Sequence, residues 1–354
     1  MIHATYRRLF FLILATCLQI IIFPSHAQDY PPTLDDFWAG QAEWRIELYD
    51  VGLPIGESDT VQLPDGSYRS YLHASFQSAE IIDQCGMPAP FPGCLTIWDS
   101  DNAESFSLEV PVCIIPCGAC PCDDQRDHIE AQQYPRVSIA DDGIWYMVYE
   151  WHAQVMLRQS TDGIVWSDWE YLQTPAGTWQ SSYAPCTVNE RIGTHPHIRG
   201  QADDCILGAP PGLFIDGDTL YVFVMAGSAP ARMRCYKGNR HGDLGALSLC
   251  DTDPLFSGAD SYGDPTLVGD AARDFWDFRY ISSADVIQVG DWYYMAYEGI
   301  RGPSELEFGR DNQFGLGFAR TTSLDGTWET LARNPVVMGL VDNWGIGHAD
   351  LLII

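Results

Sequence analysis

A short apolar strand, a turn that contains glycine and a second, aromatic strand recur along the chain. The four copies span Asp59–Tyr71, Arg136–Tyr149, Gly212–Phe223 and Asp285–Tyr297, and a fifth begins at Asp350. Their turn glycines, Gly66, Gly143, Gly217 and Gly290, are 77, 74 and 73 residues apart. Asp-Gly and Gly-Asp tolerate the positive φ of tight turns, and β-branched and aromatic residues favour strands. Each copy therefore predicts a β-hairpin, and none has helical periodicity.

A second recurring element follows two of the hairpins. In Arg158–Trp166 and Arg320–Trp328, a turn rich in Ser, Thr, Asp and Gly is followed by a tryptophan. Such turns join neighbouring strands, and the tryptophan is expected to pack beneath the turn. A hairpin plus this second hairpin predicts a four-stranded sheet in about 70 residues.

Repeated four-stranded sheets at this period predict an all-β fold, a five-bladed β-propeller, because radial stacking buries the apolar faces that one twisted sheet leaves open. Two β-sandwiches are the alternative, but they do not explain the near-constant spacing. The sequence stops at Ile354, on the first strand of the fifth unit. Either the last blade is incomplete or the sequence is a fragment. Residues 28–58, which include Trp38, are a candidate for an outer strand of that blade.

The first 27 residues predict a signal peptide. Arg7 and Arg8 precede an apolar run, and the small residues Ser25 and Ala27 place the cleavage after Ala27. An uncleaved membrane anchor is the alternative, although the run is short for a bilayer span of about 20 residues. The predicted organisation is a signal peptide over 1–27 and a single β-propeller domain over 28–354. The protein is expected to be secreted or to lie at the cell surface or in the periplasm.

Cysteine usage agrees with export. Of eleven cysteines, Cys17 lies in the predicted signal peptide, which leaves ten for five disulfides. Three close pairs are expected to be bonded: Cys85 with Cys94, Cys186 with Cys205, and Cys235 with Cys250. Cys113, Cys117, Cys120 and Cys122 form a cluster whose pairing cannot be deduced from sequence. Zinc is the alternative for this cluster, with His128 nearby.

The charge restricts the partners. The formal net charge of −29 becomes −31 without Arg7 and Arg8, and the mature chain has a single lysine, Lys237. Such a surface repels nucleic acid and anionic membranes. It suits a neutral substrate such as a carbohydrate, a calcium ion or a salty medium, and it also serves solubility alone. We expect a monomer that binds neither nucleic acid nor, after signal cleavage, a membrane.

Aligning the copies places one set of residues at the start of each first strand. These strands line the central channel of a propeller, so the set should converge on one axial pocket: Asp59, Arg136, Gly212, Asp285 and Asp350. Two carboxyl groups, one acid and one base or nucleophile, are what glycoside hydrolysis needs. Mutual repulsion raises the pKa of one member and keeps it protonated. The alternative is that the aspartates only cap strand ends.

Two glutamates close the aromatic strands of the second and fourth copies. Glu150 precedes Trp151, and Glu298 precedes a Gly/Pro loop that contains Arg301. Hairpin direction decides whether these glutamates lie at the axial pocket or on the opposite rim. Glu298 is the better functional candidate, with a solvated strand end as the alternative. Trp151 and Tyr262 are weaker candidates for stacking on a sugar ring.

These motifs resemble a known group of enzymes. Aspartates that open inner strands, Ser-x-Asp-Gly turns with a tryptophan, and Gly345-Ile-Gly347-His348 before the last inner strand are similar to the five-bladed β-propeller glycoside hydrolases of the arabinanase, β-xylosidase and invertase kind, families 43 and 32. The resemblance covers about residues 55–354. It implies that Asp59 is the base and that His348 is near an axial metal, for which calcium is the candidate although no cofactor is required.

The sequence also departs from that group. The second copy has Arg136 where the group has its pKa-tuning aspartate, and the third has Ala209-Pro-Pro-Gly212 where the acid glutamate is expected. Asp285 and Glu298 would take over those roles. The predicted function is a secreted glycoside hydrolase with Asp59, Asp285 and Glu298 as catalytic carboxylates, and with Arg136, Trp151 and Asp350 binding substrate. The alternative is a non-catalytic extracellular propeller that binds a glycan or a protein.

Two other interpretations have weaker support. The Ser160–Gly163 turn also resembles the Asp-box of sialidases, but such boxes are structural, and no motif gathers the arginines a sialidase needs. His195 and His197 beside Asp203 and Asp204 could bind a metal, or they could belong to a polar loop held by Cys186 and Cys205.

Overall fold

A computed structural model describes residues 33–42, 57–73, 95–110, 133–151, 154–167, 170–172, 210–226, 231–244, 247–258, 276–277, 280–301, 313–338 and 348–352. The chain divides into two compact units, Met1–Glu47 and Leu48–Ile354. The predicted signal peptide lies outside the described residues, so its boundary stays a prediction.

Among the described residues of the first unit, Leu34–Trp38 form a short helix, α1. Thr33 caps it: its hydroxyl accepts from the backbone N–H of Asp36, and the Asp36 carboxylate accepts from the backbone N–H of Thr33 at 2.9 Å. A strand was expected here, and for Trp38 that expectation is wrong because the capping box starts a helix. None of the described helices is long and apolar enough to cross a membrane.

The second unit contains four antiparallel sheets, which we call blades 1 to 4. Blade 1 consists of β1 Glu57–Gln62, β2 Tyr68–His73, β3 Leu95–Ser100 and β4 Ser107–Val110. Blade 2 consists of β5 Gln133–Ile139, β6 Trp145–Trp151, β7 Gln154–Ser160 and β8 Glu170–Tyr171. Blade 3 consists of β9 Gly212–Asp216, β10 Thr219–Ala226, β11 Arg232–Asn239, β12 Ser248–Leu249 and β13 Phe256–Ser257. Blade 4 consists of β14 Tyr280–Val289, β15 Trp292–Arg301, β16 Gln313–Thr321, β17 Glu329–Thr330 and β18 Val337–Met338.

The four predicted hairpins are confirmed. β1 pairs with β2, β5 with β6, β9 with β10, and β14 with β15, all antiparallel. The turn glycines have φ of 91°, 81°, 54° and 60° in chain order. A side chain is disfavoured at such φ values, so glycine is needed to close these turns.

The first strand of each blade faces the others around one axis. The backbone N–H of Val137 on β5 donates to Asp59 on β1, and the backbone at Gly212 on β9 lies against Ala284 on β14. This arrangement makes the fold an all-β propeller, as predicted. The described residues form four blades instead of the predicted five. Residues 348–352 reach the same axis, where Ala349 and Leu351 form hydrogen bonds, but they belong to no sheet among the described residues.

Apolar layers between neighbouring blades form the core. Trp166, after the turn of blade 2, is buried and packs edge-on against Tyr71 of blade 1, with ring centroids 5.6 Å apart. Trp328 of blade 4 packs in the same way on Phe223 of blade 3 at 6.0 Å. Both tryptophans are buried behind their turns as predicted, and each also joins two blades.

Polar contacts also join neighbouring blades. The Tyr71 hydroxyl donates to the carbonyl of Gly163 at 2.6 Å, the Arg240 guanidinium donates to Asp142 at 2.6 Å, and the Lys237 ammonium donates to Asp325 at 2.9 Å. Lys237, the single lysine of the sequence, thus connects blade 3 to blade 4. These contacts hold neighbouring blades in their relative positions. They thereby also fix the positions of the axial side chains.

The predicted disulfide between Cys235 and Cys250 is present in blade 3. The other cysteines that were expected to pair lie outside the described residues, as do His195, His197, Asp203 and Asp204. Their pairing and any metal binding stay predictions.

Candidate active site

Three aspartates converge on the propeller axis as the alignment predicted. Asp59 comes from β1, Asp285 from β14 and Asp350 from the segment 348–352, and one carboxylate oxygen of each lies within 4.8 Å of the others. Asp59 is buried, whereas Asp285 and Asp350 are half-buried. We call these three residues, together with Arg136 and Gly212, the axial ring.

Arg136 supplies the positive charge of this ring. Its side chain is 1% exposed and donates to Asp59 Oδ1 at 2.9 Å. It also donates to the backbone carbonyls of Ser283, Ala284 and Ala349, at 3.0, 3.2 and 2.7 Å. One guanidinium therefore connects blade 1, blade 2, blade 4 and the segment 348–352. Because its donors point to protein groups, the substrate contact expected of Arg136 stays a prediction without geometric support.

Burial sets the protonation of the aspartates. Desolvation raises the pKa of Asp59 to about 6, although Arg136 acts in the opposite direction. Burial also raises the pKa of Asp285 and, together with the charges of Asp59 and Asp285, that of Asp350. Three carboxylates beside one guanidinium carry more negative charge than the site compensates, so protons are retained more readily than in water.

Each aspartate also accepts hydrogen bonds within the protein. Val137 donates its N–H to Asp59 at 2.6 Å, Leu351 donates its N–H to Asp285, and the Thr60 side chain bonds Asp350. The alternative of strand-end capping is therefore realised together with convergence on the axis.

Gly212 completes the axial ring by its lack of a side chain. A Cβ at this position would lie 2.5 Å from the carbonyl oxygen of Ala284 and 2.8 Å from the Ala284 Cβ. Blades 3 and 4 can approach this closely only with glycine here. The third copy therefore has no axial side chain, and blades 3 and 4 are in close contact at this position instead.

Gly212→Ala is expected to destabilise the fold by about 1–3 kcal/mol, because the clash is with the backbone of a buried strand that cannot move aside. Chemical denaturation would measure this as a lower midpoint. Gly242→Ala is the control, since its Cβ would meet nothing closer than 3.2 Å at an exposed turn. Equal midpoints for the two variants would contradict the close approach of blades 3 and 4.

A cavity of about 250 Å³ extends along the axis from the three aspartates. Its walls come from the residues that follow the axial ring on each first strand, such as Val61, Ser138, Ile287 and Leu352. The aspartates form one polar end, and polar groups contribute somewhat more of its lining surface than aliphatic side chains do. The cavity therefore runs toward the ends of the first strands.

A second layer of side chains lies at the other side of the axial ring. Tyr134, Ser283 and His348 stand two residues before Arg136, Asp285 and Asp350, and all three have positive φ, of 58°, 53° and 58°. β-Bulges occur at the first two positions. The bulges turn these side chains toward each other: the Tyr134 and His348 rings are 5.3 Å apart, and His348 Nδ1 is 3.2 Å from Ser283 Oγ.

Glu298 belongs to this second layer. It lies on β15 opposite Ser282, is 6% exposed, and its Oε2 accepts from the Ser283 hydroxyl at 2.9 Å and from the Ser282 hydroxyl at 3.4 Å. Burial raises its pKa to about 7, with a further increase from Glu57. The expectation of a solvated strand end is wrong, because the hairpin returns Glu298 to the starts of the first strands, on the same side as Ser283.

The structure gives less information about the other predicted site residues. Glu150 has the matching position on β6, opposite Gln133, and is half-buried. Trp151 ends β6, with only its backbone described, and Tyr262 lies outside the described residues. Sugar stacking by either residue stays a prediction. Sequence reasoning missed Tyr134 and gave no role to Ser283, although Ser283-Ala-Asp285 matches His348-Ala-Asp350 in the sequence. The shared position two residues before the axial ring was the signal for both.

Calcium was expected next to His348. Within the described part of the chain, the group of acidic or histidine side chains close enough to share an ion consists of Asp59, Asp285 and Asp350, without His348. Carboxylate oxygens are suitable calcium ligands. However, Arg136 already neutralises part of their charge. If an ion binds, these aspartates would hold it, and the metal contact expected of His348 has no support from the geometry.

Several solved structures of glycoside hydrolases are similar in fold to this chain. They include a family 43 endo-arabinanase from Bacillus licheniformis, with 11% identity over 86% of this chain and 87% of that chain and a TM-score of 0.46. An endo-1,4-β-xylanase from Bacteroides thetaiotaomicron is 13% identical over 80% and 75%, with a TM-score of 0.45. The catalytic domain of a family 62 α-L-arabinofuranosidase from Coprinopsis cinerea is 13% identical over 79% and 68%, with a TM-score of 0.42.

These TM-scores are below 0.5, so the likeness says nothing about the substrate or the reacting residues of this chain. No protein-family model matches the sequence, and no curated protein is similar to it.

Proposed function

We propose that the protein is a secreted glycoside hydrolase that acts on an oligosaccharide or polysaccharide, with Glu298 as the general acid. The observation that carries this proposal is the buried Glu298 carboxyl group, which accepts hydrogen bonds from Ser282 and from Ser283, which lies two residues before the axial Asp285. Hydrolysis of a glycosidic bond needs a carboxyl group that is protonated near neutral pH and a second carboxylate that is ionised.

Glu298 suits the acid role because burial raises its pKa to about 7. At pH 6 the group is therefore mostly protonated and can give its proton to the leaving oxygen. General acid catalysis is most efficient when the pKa lies close to the working pH. A carboxyl group in water, with a pKa near 4.3, would already be ionised.

Asp285 suits the role of the second carboxylate. It is half-buried, whereas Asp59 is buried and bonded to Arg136. In this proposal Asp59 and Arg136 set the charge around Asp285 and hold its strand in place. The catalytic role expected of Asp59 would then be electrostatic, and Asp350 would contact the sugar.

Two further parts of the proposal concern location and blade number. The Cys235–Cys250 disulfide, the predicted signal peptide and the net charge of −29 support an exported protein with a neutral carbohydrate substrate. The segment 348–352 supports a fifth blade, because it enters the axis as β14 does: His348 and Ser283 share positive φ two residues before an axial aspartate.

The alternative function is a non-catalytic propeller that binds a glycan or a protein. One observation favours it: Arg136 lies on the axis among residues 283, 284 and 349, and every axial aspartate is bonded to protein donors. Screening the full-length protein and its Asp285→Asn variant against chromogenic glycosides separates the two functions. Turnover that is lost in the variant supports hydrolysis, and glycan binding without turnover supports the alternative.

The pH dependence of kcat/KM should be bell-shaped, with its maximum below about pH 7. Activity rises as Asp285, whose pKa burial raises, loses its proton, and it falls as Glu298 loses its proton near its pKa of about 7. Initial rates on the best glycoside from pH 4 to 9 would test this. A rate that stays level up to pH 9 would show that no protonated carboxyl group takes part.

A further inference from the structure

The second layer contains a continuous chain of hydrogen bonds. His348 Nδ1 lies 3.2 Å from Ser283 Oγ, and this hydroxyl lies 2.9 Å from Glu298 Oε2. A hydroxyl has one proton, so donation to Glu298 leaves Ser283 Oγ to accept from His348. In this arrangement the imidazole carries its proton on Nδ1, and the Tyr134 ring, 5.3 Å away, packs beside it.

The backbone of both residues is strained. Ser283 and His348 have φ of 53° and 58°, which is uncommon for residues other than glycine, although histidine adopts it more often than serine does. Strain of this kind persists when surrounding contacts impose it, and it concentrates at functional sites. Here it directs two side chains from different parts of the chain to one carboxyl group.

The chain of contacts also distinguishes the two oxygens of Glu298. Oε2 accepts from both serine hydroxyls, so it is the oxygen that the protein keeps as an acceptor. The carboxyl proton then belongs on Oε1. A general acid needs its proton on the oxygen that faces the leaving group, within about 3 Å of it.

We propose that Ser283 and His348 are positioning residues that hold Glu298 Oε2 as an acceptor and so direct its proton, on Oε1, to the leaving group. The inference rests on the proposed function, because it assumes that Glu298 acts as the acid. Neither residue contacts the reacting atoms. His348 acts through Ser283, and Ser283 acts through Glu298.

Glycine at position 283 separates positioning from folding. Ser283→Gly removes the hydroxyl and relieves the positive φ, so the thermal midpoint should not fall. We expect kcat to fall about 10- to 100-fold at nearly constant KM, because misplacing a reacting group slows the chemical step. Ser282→Ala removes the longer hydrogen bond, of 3.4 Å, and should cost less than about 3-fold. A Ser283→Gly variant with full kcat would overturn the proposal.

Two substitutions at position 348 provide a matched pair. Asparagine adopts positive φ readily and places an amide where Nδ1 lies, whereas glutamine places its amide farther out. His348→Asn should therefore retain kcat within about 3-fold, and His348→Gln should lose as much as Ser283→Gly. If His348 acts only through Ser283, an arrangement we call the relay, the double variant Ser283→Gly/His348→Gln should be no slower than Ser283→Gly alone. Independent, multiplying losses would contradict the relay.

A measurement without substrate distinguishes failure of the relay from failure of the proposed function. ¹⁵N NMR of the His348 imidazole in the full-length protein reports which nitrogen carries the proton. We expect a proton on Nδ1 that Ser283→Gly displaces and Ser282→Ala leaves in place. The same spectrum in all three proteins would overturn the relay. A protein with the expected spectra but no turnover on any glycoside would instead refute the proposed function.

Discussion

Glu298→Gln is expected to lower kcat about 10²- to 10⁴-fold, which is the usual contribution of a general acid. The amide has the shape of the carboxyl group, so it can still accept the Ser283 hydrogen bond, but it has no proton of suitable acidity to give. The fold should be unaffected, because an uncharged group replaces one that burial already keeps largely protonated below its pKa of about 7. Single-turnover rates on a chromogenic glycoside would measure the loss.

Glu150→Gln is the matched control for this experiment. Glu150 closes the aromatic strand of blade 2 as Glu298 closes that of blade 4, opposite Gln133 as Glu298 lies opposite Ser282. We expect its kcat to stay at the wild-type value. Equal losses in both variants would show a general effect of the strand ends, and wild-type activity in Glu298→Gln would remove Glu298 from the mechanism.

Arg136→Met is expected to destabilise the protein by about 3–5 kcal/mol, since it leaves a buried carboxylate without its partner. The side chain is 1% exposed and bonds Asp59 and three backbone carbonyls, so the loss affects every element at the axis. At about 2.1 cal/mol/K of unfolding entropy per residue, a fall in the melting temperature of roughly 5–8 °C would follow for the unit Leu48–Ile354. Arg234→Met, which breaks the more exposed pair with Asp253, should cost less than about 1 kcal/mol.

The stability of Arg136→Met is expected to fall as pH rises. The pKa of Asp59 is about 6 in the folded protein and higher than in the unfolded chain, so the folded state binds the extra proton. Stability therefore falls as pH rises through this range, and it falls further in Arg136→Met, where Arg136 no longer lowers the Asp59 pKa. The variant should be closer to wild type at pH 5 than at pH 8. Adding Asp59→Asn should restore part of the loss at pH 8, and no recovery would contradict the proposed role of the pair.

Local sequence signals predicted much of this structure because they reflect local physical causes. Gly66 and Gly143 mark hairpin turns since few other residues adopt their φ, and the strands beside them alternate toward a buried face. Trp166 and Trp328 are buried as expected, because a large apolar ring after a turn has few other places to pack. The convergence of Asp59, Asp285 and Asp350 followed from repetition alone, since equivalent positions of a propeller face one axis.

Other features depended on which backbones become neighbours. Arg136, for which a sugar contact was predicted, bonds Asp59 and the carbonyls of residues 283, 284 and 349, which are 147, 148 and 213 residues away along the chain. Periodicity carries no information about such partners. The helix over Leu34–Trp38 was missed for a different reason, because its signal was a capping box at Thr33 and not a hydrophobic period.

Sequence by itself determined that this protein is a repeated β structure with acidic residues at corresponding places in its blades, because turn chemistry and alternation are properties of short segments. Tertiary structure alone decided what those residues can do. The high pKa of Glu298 arises from burial, and its orientation arises from Ser283 and His348, which a bulge and two positive φ values bring together. Desolvation and hydrogen-bond partners depend on packing between blades, and no local pattern records them.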